Sequence, residues 1–225
     1  MKIQFIGHSC FYIEDKNFKG IIDPFITGNP QTTLTPSYFN TLTHIFITHG
    51  HGDHLGDTFS LAKKTGALII TNYEIACFLN NQGFNTHAMH IGGKHTFDFG
   101  IVKMTPALHG SSIETENGFI YGGNPCGFVI EINGKKIYHA GDTGLTMDMK
   151  LLEMENIDVA LLPIGGNFTM DIEDAARAVD FIKPKKVIPM HYDTFPIIQT
   201  DTSDFKKRIS SSTVIVLNPS ESLNI

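Results

Sequence analysis

The segment Thr48-His49-Gly50-His51-Gly52-Asp53-His54 constrains this chain more than any other stretch. It sets four metal-ligating side chains into six positions, directly after the apolar, strand-like run His44-Ile45-Phe46-Ile47. Side chains two apart share a face in extended backbone, so a strand running into this turn aims His49 and His51 the same way. Asp53 and His54 then point elsewhere as the backbone bends toward a helix expected near Leu55. The arrangement suits two adjacent metal ions. It is unlike the His-Glu-x-x-His zinc motif, which needs helical spacing. The bland alternative is a solvated, Gly-rich turn. Against it stand His109, Asp142 and His191, each following a β-like apolar stretch in a Gly- or Pro-marked turn.

A chain of 225 residues can bury a full-sized core, and one domain is the expectation. The net charge of -6 disfavours a nucleic-acid-coating surface. No apolar run approaches the roughly 18 residues of a membrane helix, and Gln4 and Gly7 interrupt any signal-peptide core near the N-terminus. Cys10, Cys77 and Cys126 are odd in number and lack metal-like spacing, so a reducing cytoplasm fits better than a disulfide framework.

Strands are expected at Lys2–Ile6, Cys10–Glu14, Gly20–Ile22 and His44–Ile47, with an irregular connection from Thr27 to Thr41. A helix over 55–65 precedes a strand at Ala67–Thr71 and a helix at Tyr73–Asn81, then strands near 86–91, 94–99 and 101–106. The Gly-, Ser- and Asn-rich segment His109–Gly127 reads as a flexible loop over a site. Phe128–Ile132 and Lys136–His139 flank the hairpin turn Asn133-Gly134. Helix 146–155, strand 157–162, helix 171–182, strand 186–190, helix 203–210 and strand 213–217 follow. The two halves look alike in kind, which suggests two packed sheets with outer helices.

His49, His51 and His109 could give three nitrogens to one ion, and Asp53, His54 and His191 could hold a second. Asp142, among small neighbours in Ala140-Gly141-Asp142-Thr143-Gly144, could bridge both. Singly, a helix N-cap role for Asp142 and local loop roles for His109 and His191 serve as well. The 49–54 cluster reverses that balance.

His49-x-His51-x-Asp53-His54 followed by His109, Asp142 and His191 resembles the metallo-β-lactamase superfamily. The resemblance is to its small cytoplasmic metal-dependent hydrolases, related to sugar-acid-phosphate lactonases. Gly7-His8-Ser9-Cys10-Phe11 and Ile22-Asp23-Pro24-Phe25 support it. It implies an α/β (α+β) fold, a four-layer αβ/βα sandwich of two mixed sheets with the metals at one edge. The aspartate at 142 departs from true β-lactamases, which typically carry cysteine there. The histidine at 51 departs from flavo-diiron reductases, which carry glutamate.

The expected activity is hydrolysis of a small anionic ester, lactone or phosphoester by a bridging hydroxide on two divalent ions. Zinc comes first among them, with Mn2+, Fe2+ or Ni2+ as alternatives. Asp53 could shuttle a proton to the leaving group, and His8 is a second catalytic candidate in the turn between the first two strands. Asp23 could orient a metal histidine or cap a turn. Asn167 and Tyr192 are candidate substrate contacts, with structural roles as the alternative. His44, His87, His90 and His95 are read as non-ligands, and His139 as packed or at the surface. The competing readings are an RNA-processing phosphodiesterase of the same superfamily and a non-catalytic metal-binding scaffold. An oligomer has no support in the sequence.

Overall fold

The first three apolar runs of the sequence become strands that end at or just before Gly7, Asp15 and Asp23. A computed structural model describes residues 1–225. The chain opens with strands β1 (Lys2–Gly7), β2 (Cys10–Asp15), β3 (Phe18–Ile22) and β4 (His44–Phe46). Helices α1 (Gly52–Leu55) and α2 (Thr58–Thr65) lead to β5 (Leu68–Asn72), α3 (Tyr73–Asn80) and β6 (Thr86–Met89). Then come β7 (Lys94–Phe97), β8 (Gly100–Pro106), β9 (Ser112–Thr115), β10 (Gly118–Tyr121), β11 (Cys126–Ile132), β12 (Lys135–His139) and β13 (Val159–Pro163). Helix α4 (Ile172–Ile182), β14 (Lys186–Met190), α5 (Thr202–Arg208), β15 (Thr213–Val214) and β16 (Ser222–Asn224) complete the chain.

The chain divides into two compact units, one of residues 1–91, 110–125 and 218–225, the other of 92–109 and 126–217. Each holds one seven-stranded mixed sheet with helices. The order in the first is β16-β1-β2-β3-β4-β5-β6, and in the second β7-β8-β11-β12-β13-β14-β15. In each sheet, read in that order, three antiparallel pairings are followed by three parallel ones. The likeness of the two halves is therefore a likeness of topology.

These directions decide where the chemistry sits. In the first sheet β1, β3, β4, β5 and β6 run the same way, so their C-terminal ends share one edge, which carries His8, Asp23, the 48–54 loop and Asn72. In the second, β8, β12, β13 and β14 run together, and His109, Asp142, the Gly165–Asn167 loop and His191 follow their ends. Loops beyond the carboxyl ends of parallel strands are where α/β sheets place ligands. Ile21, Ile45, Ile69, Leu61, Ile75 and Leu79 belong to the first unit's buried cluster, so the sheet and its helices α2 and α3 hold that edge rigid.

Several expectations need correction. The helix over 55–65 is broken into α1 and α2 at Gly56, which takes φ 42, a conformation that favours glycine. The break lets Asp57 turn back to accept from the Ile26 and Thr27 backbone N–H groups at 3.1 and 2.7 Å. The segment read as a flexible loop contains the hairpin β9–β10, held at its stem by Ser111. Residues 147–155 form 3-10 rather than α-helix, and β15 stops at Val214. The short strand β16 was not anticipated, and it pairs with β1 at the other end of the chain.

Candidate metal centre

In the first unit one buried carboxylate organises the ligand loop. Asp23, at φ 46 just past β3, accepts from Thr48 N at 2.8 Å, from Thr48 Oγ1 at 2.7 Å and from His54 Nδ1 at 2.8 Å. Thr48 has a single hydroxyl proton, and Asp23 takes it. The contact of 3.0 Å between Thr48 Oγ1 and His49 Nδ1 must then run from the imidazole N–H to the hydroxyl oxygen. His49 and His54 are thus both fixed as Nδ1–H tautomers, and each presents the lone pair of Nε2. A metal-binding histidine needs one ring nitrogen with an available lone pair, and in these two residues it is Nε2.

The rest of the cluster fits the same purpose. His49 Nε2 lies 3.0 Å from His51 Nδ1, so two ring nitrogens address one point; without a cation a proton must lie between them. Ligand atoms of His49 and His54 lie within 4.8 Å of each other, and so do those of His8, Asp53 and His54. His8 is fully buried, sits at φ 57, and brings Nε2 to 3.2 Å from Asp53 Oδ2, whose side chain is 31% exposed. Gln31 Oε1 accepts from the His8 backbone N–H at 2.6 Å and holds that left-handed turn. Left-handed φ at His8 and Asp23 is strain of the kind that persists where surrounding contacts over-determine it. Gly50 lacks a side chain because one would come within 2.9 Å of the Ser112 carbonyl oxygen. Its N–H instead meets Ser111 Oγ at 3.2 Å.

In the second unit Asp142 is the hub. Its Oδ2 lies 2.9 Å from His191 Nε2 and 3.6 Å from His109 Nε2, and Asp142 and His191 are buried. Thr143 Oγ1 accepts from Leu108 N at 2.9 Å, and Gly144 N donates to Leu108 O at 3.0 Å, which ties the loop carrying His109 to the loop carrying Asp142. His191 sits at φ 54, and a side chain at Gly165 would collide with its carbonyl. Thr146, not Asp142, stands at the N-cap position of the 3-10 segment and makes no side-chain capping bond, so the N-cap role weighed for Asp142 is absent.

Sequence reading named each of these ligand candidates and Asp23. It missed Thr48, Gln31 and Ser111, whose roles depend on partners 23 to 61 residues away. Asn167 lies exposed at φ 53 in the loop after β13. Tyr192 is buried; burial first, and then the charge of Asp193, push its phenol up to about 12. His139 is buried and accepts from Gly141 N at 3.1 Å, so it is packed rather than at the surface.

Residues 21–192 match the model of the beta-lactamase superfamily domain. The chain belongs to this superfamily. The matched span runs from just before Asp23 to just after His191, and of the site candidates only His8 lies outside it. A UPF0173 metal-dependent hydrolase of Alkaliphilus metalliredigens is 61% identical over 225 residues, 100% of both chains. Another from Carboxydothermus hydrogenoformans is 50% identical, with 98% of each chain covered. Among solved structures, that of Igni18, a metallo hydrolase from the archaeon Ignicoccus hospitalis, is similar with a TM-score of 0.90. Its sequence identity is 37%, covering 99% of this chain and 97% of that one. The two mixed sheets with their helices are the metallo-β-lactamase fold.

Proposed function

We propose that the protein hydrolyses a small anionic ester, lactone or phosphoester with two divalent ions, zinc first among them. His49, His51 and His109 would hold one ion and Asp53, His54 and His191 the other, with Asp142 shared and the two units serving one catalytic domain. The observation that carries this reading is the Asp23–Thr48–His49 and Asp23–His54 relay, which spends a buried carboxylate on two imidazole lone pairs. Nothing in the folding of a turn requires that outlay. The names of the full-length relatives support hydrolysis in particular.

When bound, the ions supply Lewis acidity and acidify a water to a pKa of roughly 7. The chain's own groups do the rest. Asp53, partly exposed and with one oxygen held by His8, is suited to carry a proton toward a leaving group. His8 keeps that carboxylate aimed. With two carboxylates among the ligands the loaded site keeps a formal charge of about +2, which favours anionic groups. Three cysteines that form no disulfide suit a reducing compartment such as the cytoplasm. No helix is long and apolar enough to cross a membrane.

The test is elemental analysis of protein purified without added metal, followed by lactone, phosphodiester and thioester panels. Two equivalents per chain and turnover of one substrate class are expected, both lost in His49→Ala and Asp142→Ala. Full turnover by a metal-free Asp142→Ala protein ends the proposal.

A further inference from the structure

On the edge of the first sheet that bears the ligand loop, a cavity of about 290 Å³ opens beyond the ends of β5 and β6. Asn72, Glu74, His90, Ile91 and Asn124 line it. Paired strands lie roughly 4.8 Å apart. Since β4 pairs with β5 and β5 with β6, the ends of β5 and β6 lie about 5 and 10 Å along the edge from the end of β4, which leads into the loop of His49 and His51. That is the reach of a small molecule.

The walls are built and held. Asn72 Oδ1 accepts from Ile75 N at 2.9 Å, while its Nδ2 donates to Gly122 O at 2.8 Å and Asn124 O at 3.1 Å. Tyr121 Oη donates to Asn124 Oδ1 at 3.1 Å. Gly123, at φ 74, leaves open the space where a side chain would strike the Glu74 carboxylate and approach Asn72 Cγ to 3.0 Å. The His90 ring stacks on Tyr73 at 5.6 Å between centroids and 21° between planes. Against this finished frame stands the half-buried Glu74, in the first turn of α3, with no basic side chain among the other residues that line the cavity except the His90 ring.

A carboxylate at the wall of a polar cavity, with no lysine or arginine lining it, can receive a cation. Glu74 and His90 belong to no group of three His, Cys, Asp or Glu donors close enough to hold a metal ion, and a single carboxylate beside a flat ring suits an organic ammonium. We propose that this cavity is a subsite for the ammonium-bearing end of the substrate, with Glu74 taking the charge and the His90 ring flanking it. The scissile bond then reaches back along the sheet edge toward His49–His54. The inference rests on the hydrolase reading and narrows it to substrates carrying an amino group beside the ester, lactone or phosphoester.

Two measurements separate this idea from the reading beneath it. The first follows the side-chain amide signals of Asn72 and Asn124 in a ¹H–¹⁵N spectrum as n-butylammonium is added, with n-butanol as the neutral control. Saturable shifts with the ammonium alone are expected, weakened about tenfold in Glu74→Gln, whose spectrum also reports its folding. Equal shifts with both probes, or none with the ammonium, overturn the subsite. The second compares kcat/KM for α-amino-γ-butyrolactone and γ-butyrolactone in the zinc-loaded protein. The preference for the amino lactone should fall about tenfold in Glu74→Gln. A preference unchanged by the substitution refutes the subsite while hydrolysis stands. Ammonium binding that depends on Glu74 without turnover of either lactone keeps the cation site and counts against lactone hydrolysis.

Discussion

The Asp23 carboxylate and the His54 imidazole are both fully buried and meet at 2.8 Å between Oδ2 and Nδ1. The same Oδ2 receives the Thr48 hydroxyl proton, so one oxygen sets the tautomer of two histidines. Deep burial keeps this hydrogen-bonded chain away from competing water, and leaving any member unmatched is costly. If the loop holds a cation, as proposed, this relay sets how strongly it does so before any ion arrives.

Asp23→Asn should lower metal affinity by about 10- to 100-fold, the usual effect of removing a group that orients a metal histidine. Asparagine tolerates the left-handed φ of 46 at this position, so far-UV circular dichroism should stay native. Competition against a chromophoric chelator reads the affinity. An affinity equal to wild type would show that Asp23 serves only its turn.

Gly50→Ala tests the seat of the ligand loop. The added Cβ would come within 2.8 Å of Ile113 Cγ1 and 2.9 Å of the Ser112 carbonyl oxygen, and Ile113 is buried. Overpacking of this kind costs about 1–3 kcal/mol. A fall in the urea midpoint together with weaker metal binding is expected, since the displaced segment carries His49 and His51 on either side. Unchanged stability would mean that the β9 stem yields freely.

Much of this centre is legible in the residues, and the parts that are not share a cause. The two-residue spacing of His49 and His51 after an apolar strand is a local signal, and it brings His49 Nε2 to 3.0 Å from His51 Nδ1. Asn133-Gly134 is equally local: both residues take positive φ, 51 and 74, as a type I′ turn demands. Gly56 broke the expected helix because Asp57 has partners near residue 26, and no pattern within 55–65 reports them. The β9 and β10 strands are four residues each and lack clean alternation. Their order comes from contacts such as Ser111 with Gly50 and Gly122. Thr48 and β16 were missed for the same reason, their partners being far away in the chain.

Stability should fall in alkaline solution. Burial, aided by the charge of Glu14, pushes the Tyr12 phenol from 10.0 up to about 12, and burial raises Tyr138 as well. Both folded-state values exceed the unfolded one, so folding favours the neutral phenol. The contribution is fully present below about pH 10 and is lost as pH rises toward 12. Urea midpoints should be level from pH 7 to 9, drop beyond pH 10, and drop less steeply in Tyr138→Phe. A midpoint that holds level to pH 11.5 would contradict the buried-phenol account.

Chelation should separate activity from folding. The buried apolar cluster of the first unit and the buried strands of the second do not involve the ligand side chains, so both sheets should persist without metal. Ligand binding stabilises a folded protein by about 2.7 kcal/mol at a free concentration 100 times the dissociation constant. For a chain of this size that corresponds to a melting shift of roughly 5–10 °C. Protein stripped with dipicolinate should therefore keep its far-UV spectrum, melt cooperatively at the lower temperature and lose hydrolysis, and zinc should restore both. Unfolding at 25 °C on stripping would instead make the ions structural supports of the 48–54 loop. An unchanged melting temperature would mean that the Nε2 lone pairs of His49 and His54 are prepared for something other than a metal ion.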